Sequence, residues 1–229
     1  MRKVIFLSAV LALALWASQP WKAGSAANWT AGDAQRVLND SPWAQSAAAS
    51  FGATGEEDEP PPGPSIDVPQ AGMAGPHGAS DGRWDGGVGR RPRGGPPVFN
   101  VVVRWDSSLP VRQALDRTHT PSVYKPEQIP KDYIITVLGL VPASPGSNPS
   151  EMLAGVMRYS RIWPKDKPPI GPDDAKLDEA TGALHLFFSR KRKIEPNDKE
   201  VTFQTRFGSL SIVKRFRLKD MLYNGQLEL

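Results

Sequence analysis

Apolar and polar positions divide this chain into four blocks. The first is the run Val4 to Ala17, in which only Ser8 is polar, behind the positive pair Arg2 and Lys3. Crossing about 30 Å of hydrocarbon takes about 20 apolar residues in a helix. The run is shorter than that and matches the apolar core of a secretory leader. Ser25 and Ala27 stand at the −3 and −1 positions of a cut after Ala27, and cuts after Ser25 or Ala26 fit nearly as well. A cut after Ala17 fits less well, because Leu15 would stand at −3. Residues 1–27 are therefore expected to be a signal peptide, with an uncleaved anchor as the alternative. The working protein is expected to be exported: periplasmic, envelope-associated or secreted.

Residues 28–51 read as a short helical element. Thr30 can cap a helix, with Asp33 three residues on and Trp29 placed as a hydrophobic staple. Ala34, Val37 and Leu38 form one stripe at helical spacing. Ser41 and Pro42 offer a second start, continued by Trp43, Ala44, Ala47 and Ala48 and closed by Gly52. Two short helices with two Trp residues cannot build a core alone, so they dock on a larger body or on a partner.

Residues 52–97 hold 12 Gly and 9 Pro among 46 residues, with Ile66, Val68 and Val88 the exceptions to a near absence of large aliphatics. Such a stretch buries too little surface to offset its backbone entropy and is expected to be a disordered linker.

Residues 98–229 carry the patterns of a folded domain. Phe99, Val101, Val103 and Trp105 alternate as one strand face, and Leu109 to Arg117 follows as a helix with Val111, Ala114 and Leu115 inward. Tyr133 to Val141 reads as a strand covered on both faces. Ser150 and Glu151 open a helix through Met157 or Tyr159, and periodicity leaves Tyr159 to Trp163 open between helix and strand. Ala183 to Ser189, Glu200 to Arg206 and Leu210 to Leu218 are strands, and Asn224-Gly225 is a tight-turn signal. The expected class is α+β: two strand–helix units, then an antiparallel β-meander, preceded by short helices and the linker.

Composition narrows the chemistry. The chain has no Cys, so no disulfide, thiol nucleophile or thiolate metal site is available, and the core must hold the fold. The formal charge is +4, but Arg2, Lys3 and Lys22 fall within the leader, which leaves about +1. Residues 28–97 are acidic on balance and residues 98–229 basic, far from the dense positive field that nucleic acid requires.

His77, His119 and His185 show no metal-ligand spacing. Asp106, Asp116, Asp132, Asp173, Asp174, Asp178 and Glu179 could supply an acid/base pair, although Asp106 reads first as a helix cap and the others as turn residues. No Gly-x-Ser-x-Gly or Ser-x-x-Lys motif occurs. No catalytic, cofactor or metal residue is assigned. Arg190, Lys191, Arg192 and Lys193 form a basic run, read either as a charged strand exit or as a contact with anionic lipid or polysaccharide. Lys214, Arg215, Arg217 and Lys219 could join it. Trp43 is the aromatic that either docks on its own domain or contacts a partner.

Residues 29–45, Trp-Thr-x-x-Asp-Ala-x-x-Val-Leu-x-Asp-Ser-Pro-Trp-Ala-Gln, resemble the start of a group of uncharacterised secreted bacterial proteins. Residues 216–229, Phe-Arg-Leu-Lys-Asp-Met-Leu-Tyr-Asn-Gly-Gln-Leu-Glu-Leu, resemble their C-terminus, and Val101 to Leu115 is similar to their central part. The resemblance implies export and carries over no activity and no functional residue. The expectation is a non-enzymatic envelope or extracellular interaction module, partnered by another envelope protein or an anionic surface, with no cofactor and no nucleic acid. The alternatives are a carboxylate- or His119-dependent hydrolase and a binder of anionic lipid or polysaccharide.

Overall fold

A computed structural model describes residues 19–23, 25–51, 98–140, 148–178 and 180–229. The leader's apolar run and the linker expected over 52–97 lie outside these residues. In chain order the elements are α1 (Pro20–Ala23), a 3-10 turn (Ala26–Asn28), α2 (Ala31–Asn39), β1 (Ala44–Phe51), β2 (Val98–Trp105), α3 (Leu109–Arg117), β3 (Asp132–Leu138) and α4 (Pro149–Tyr159). There follow β4 (Arg161–Pro164), β5 (Asp174–Asp178), β6 (Ala183–Ser189), β7 (Glu200–Phe207), β8 (Leu210–Arg217) and a small hairpin, β9 (Leu222–Tyr223) with β10 (Gln226–Leu227). The class is α+β. Eight antiparallel strands form one sheet in the order β4-β7-β8-β1-β2-β3-β6-β5.

The start of α2 follows its sequence closely. Thr30 Oγ1 accepts the Asp33 N–H at 3.1 Å, and the Asp33 carboxylate accepts the Thr30 N–H at 3.0 Å, so the capping box closes. Those hydrogen bonds also hold the Asp33 pKa below its ordinary value. Ala34, Val37 and Leu38 are buried as the stripe requires.

The second helix expected after Ser41 does not form, and residues 44–51 are strand β1, paired along its length with β2. Ser41 explains the change. Its Oγ donates back to the Val37 carbonyl at 2.7 Å instead of capping a new helix, and its main chain pairs with Ala44 in a tight turn. The alanines would suit a helix in isolation, but the edges of β2 and β8 supply partners on both sides. Ala47 and Ala49 face the core, and Ser46, Ala48 and Ser50 face out. The segment is thus an inner strand of the body and not a separate helical element.

One sheet face and the helices α2, α3 and α4 enclose the core, which includes Trp43, Val103, Trp105, Ile135, Leu186, Phe188, Phe203 and Phe216. Helix α4 touches both β5 and β7, from opposite halves of the strand order, so the sheet curls around its core. The other face is covered in part by residues 118–131, where Tyr124 and Ile129 pack on Ile134 and Phe187. Over β4, β7, β8 and β1 no element among the described residues covers that outer face. Between β8 and β1 the ladder runs through only three pairs, Ala49–Phe51 against Leu210–Ile212, and beyond it Lys214 Nζ bridges to the Ser46 carbonyl at 2.8 Å.

Candidate functional site

Two polar constellations stand on the outer face, one sealed and one open. The sealed one is a row across four strands: Arg104 pairs with Thr136, Thr136 with His185 and His185 with Lys176. Asp106 follows β2 and reaches back into this row. Arg104 Nε donates to its carboxylate at 2.5 Å and Arg104 Nη2 at 3.2 Å, a fork-on-carboxylate pair. Thr136 Oγ1 donates to Asp106 Oδ2 at 2.6 Å and stands 2.9 Å from His185 Nδ1. Tyr124 Oη donates to the Asp106 carbonyl at 2.9 Å, and burial raises the Tyr124 pKa. The helix-cap reading of Asp106 is therefore corrected. Its carboxylate holds a buried network, and the first turn of α3 is capped by Glu228, whose Oε2 accepts the Leu109 N–H at 3.1 Å.

An Asp–Thr–His chain has the connectivity of a proton relay, but this one is closed. Asp106 is 2 % exposed, Thr136 0 % and His185 5 %. His185 Nε2 is buried with no hydrogen-bond partner among the described residues. Burial lowers the His185 pKa, against the pull of Asp106, so the ring is held neutral. No reacting group can enter without opening the sheet face.

His119 and the other carboxylates do not assemble a site. His119 is exposed at the end of α3 with φ 52°, and with Asp116 it lines a shallow, open hollow beside Ala26, Ala27 and Gln113. Asp132 lies close enough to Asp173 that burial, with that neighbour's charge, raises its pKa, but Asp173 is exposed. Asp178 is bound into its own turn by the Thr181 hydroxyl at 2.6 Å and the Ala180 N–H at 3.0 Å. Glu179 lies outside the described residues. Among the described residues no group of His, Asp and Glu is placed to hold a metal ion.

The residues expected to touch a partner separate. Of the two places expected for Trp43 the structure shows docking on its own domain: it is 0 % exposed, its Nε1 donates to the Glu228 carbonyl at 2.8 Å, and its ring meets Trp21 and Tyr223 edge-on. Arg190 also turns inward, stacking 4.3 Å from the centre of the Tyr133 ring and donating to main-chain oxygens of Asp132 and Leu229. Burial pulls its pKa down. Arg192 reaches the Pro169 carbonyl at 3.1 Å, and Lys191 and Lys193 are exposed. The run is a strand exit that ties down loops, with two outward lysines.

The open constellation lies on β4, β7 and β8. Trp163, Thr202 and Arg215 form one cross-strand row, Arg161, Gln204 and Val213 the next, and Arg206, Ser211 and Ser50 a third. Arg217 pairs with Glu200 at the far end. Arg161, Arg206, Arg215 and Arg217 are exposed, the last two with side chains 67 % accessible. Arg206 and Arg158 both stack on the Tyr159 ring, 4.6 and 5.4 Å from its centre. The acids beside them are Glu200, 3.8 Å from Arg215, and Asp220, 2.9 Å from Arg217, surface pairs that leave the arginines free to exchange partners. Lys214 belongs elsewhere: it is bound to Ser46, and burial lowers its pKa. Lys219 is exposed on the turn after β8.

The basic sequence run pointed at Arg190 to Lys193, whereas the arginines that gather on a face are scattered through β4, β7 and β8. Alternation in β7 carried a usable signal, since Thr202, Gln204 and Arg206 fall opposite to Val201, Phe203 and Thr205. Arg161 carried none, because periodicity left its segment open. No protein-family model, curated protein or solved structure matches the chain.

Proposed function

We propose that this chain is an exported, non-catalytic interaction module whose open sheet face binds an acidic polysaccharide. The observation that carries the reading is the set of four exposed arginines, Arg161, Arg206, Arg215 and Arg217, on one sheet face left uncovered by the described residues. Guanidinium groups suit carboxylate and phosphate through paired N–H donors, and a flat sheet presents several of them to a repeating polymer. The half-buried rings of Trp163 and Tyr159 beside them offer apolar surface to a sugar face. An anionic membrane fits less well. Insertion needs projecting apolar side chains, and among the described residues Val213 is the one large aliphatic well exposed on this face. A hydrolase has less support, because the Asp106–Thr136–His185 chain is sealed and, among the described residues, no carboxylate is hydrogen-bonded to His119, Asp116 only sharing its open hollow.

Equilibrium binding to polygalacturonate tests the proposal. The chain is expected to bind at low ionic strength and lose affinity as salt rises. Replacing Arg161, Arg206, Arg215 and Arg217 together with Gln should cut affinity at least ~10-fold, as loss of several charge-assisted hydrogen bonds requires, with little change in Tm. Undiminished binding by that variant, or stronger retention on phosphatidylglycerol vesicles than on the glycan, would overturn it.

A further inference from the structure

The leader's expected cut after Ser25, Ala26 or Ala27 conflicts with the packing of the residues it would remove. Helix α1 lies against α2, and Trp21 joins the main core. The Trp21 ring meets the Trp43 ring edge-on at 6.2 Å. The Pro20 carbonyl accepts the indole N–H of Trp29 at 3.1 Å, and Trp29 is 3 % exposed. The 3-10 turn Ala26–Asn28 rests on α3, and the Trp29 N–H closes that turn on the Ala26 carbonyl at 3.1 Å. Arg117 Nε then donates to the Trp29 carbonyl at 2.9 Å.

A cut after residue 25, 26 or 27 would take Pro20 and Trp21 away. The buried Trp29 indole N–H would lose its acceptor, one side of Trp43 would be uncovered, and a charged amine would stand beside buried Trp29. Orphaning the Trp29 donor and placing a charge at an apolar site each cost free energy, set against one cost of the intact arrangement, the Trp21 indole N–H, which is buried with no partner among the described residues.

We infer that Pro20 to Asn28 belong to the working fold, and that the processing site lies ahead of Pro20. Ala17 is the small residue that the end of the apolar run offers there. The step is hydrolysis of the Ala17–Ser18 peptide bond by the host's leader peptidase: water supplies the second oxygen of the Ala17 carboxylate, and Ser18 leaves with a free amine. The leucine at −3 is the irregular feature of that site, and a cut there leaves the contacts of Pro20 and Trp21 with Trp29 and Trp43 in place. The inference rests on the export reading.

The test is N-terminal sequencing and intact mass of the protein recovered from the envelope and culture fluid of its host, with Tm measured on the same material. A chain beginning at Ser18 is expected, and Trp21→Ala should lower the Tm of the exported protein by roughly 3–8 °C. A chain beginning at Ala26, Ala27 or Asn28, or a Tm indifferent to Trp21→Ala, overturns the inference while export stands. Protein retained in the cytoplasm with its leader intact overturns the export reading and the processing site with it.

Discussion

The indole N–H of Trp43 donates to the main-chain carbonyl of Glu228 at 2.8 Å, joining positions 185 residues apart. The same neighbourhood holds Tyr223, edge-on to both Trp29 and Trp43, and the Glu228 carboxylate that caps α3. The two terminal segments whose residue patterns stand out in the sequence are therefore two halves of one structural knot. Trp43→Ala is expected to destabilise the fold by about 3–5 kcal/mol, the range for emptying a buried Trp site. Trp43→Phe keeps much of the packing but strands the Glu228 carbonyl, and should cost less. Urea unfolding followed by circular dichroism reads both. A loss under about 1 kcal/mol for the alanine variant would contradict the buried placement.

Asp106 organises the sealed row. Asp106→Ala would leave the Arg104 guanidinium, 7 % exposed as a residue, buried without its counter-charge. A loss of about 3–5 kcal/mol is expected, as for a broken buried ion pair. Thr136→Val removes the hydroxyl that joins Asp106 to His185 and should cost about 1–3 kcal/mol. The double variant should lose less than the sum of the two, because both act on the same carboxylate. Additive losses would show that the groups act independently.

Much of this fold was legible in the sequence. The alternation of Phe99 to Trp105, the doubly covered run of β3, and the strands β6, β7 and β8 all lie where hydrophobic periodicity placed them. Asn224-Gly225 turns with both residues at positive φ, 50° and 78°, as a tight hairpin requires. Residues 44–51 were not legible. Ala47 to Ala49 fit either period, and the choice was made by strand partners 48 or more residues distant in the chain. The role of Asp106 was hidden for a similar reason, since Thr136 lies 30 residues away. The open face was half legible, through Arg215 and Arg217. Completing it required knowing that β4 and β7 lie beside β8.

His185 makes stability depend on pH. Burial lowers its folded-state pKa below the unfolded value of about 6.5. Thr136 and Asp106 face it from one side, Lys176 and Asp178 from β5, and Arg104 from β2. Well above the ordinary His pKa of about 6.5 the ring is neutral in both states and its contribution is whole. As pH falls from there toward the folded pKa, the unfolded chain takes up the proton first, so stability declines. Asp132 acts in the opposite sense at lower pH, because its folded pKa is raised. The urea midpoint should fall between pH 7 and pH 5 (a window set by the ordinary His pKa), and His185→Gln should flatten that decline. An unchanged slope in the variant would assign it to other groups.

The arginine-bearing face of β4, β7 and β8 is proposed to take up an acidic glycan. Amide chemical-shift mapping during titration with an oligogalacturonide addresses it most directly. Shifts are expected to concentrate at Arg161, Trp163, Thr202, Gln204, Arg206, Val213 and Arg215, and to fade as salt is raised. Shifts centred instead on Lys191 and Lys193, or on the hollow beside His119, would contradict the account, as would a spectrum that does not move.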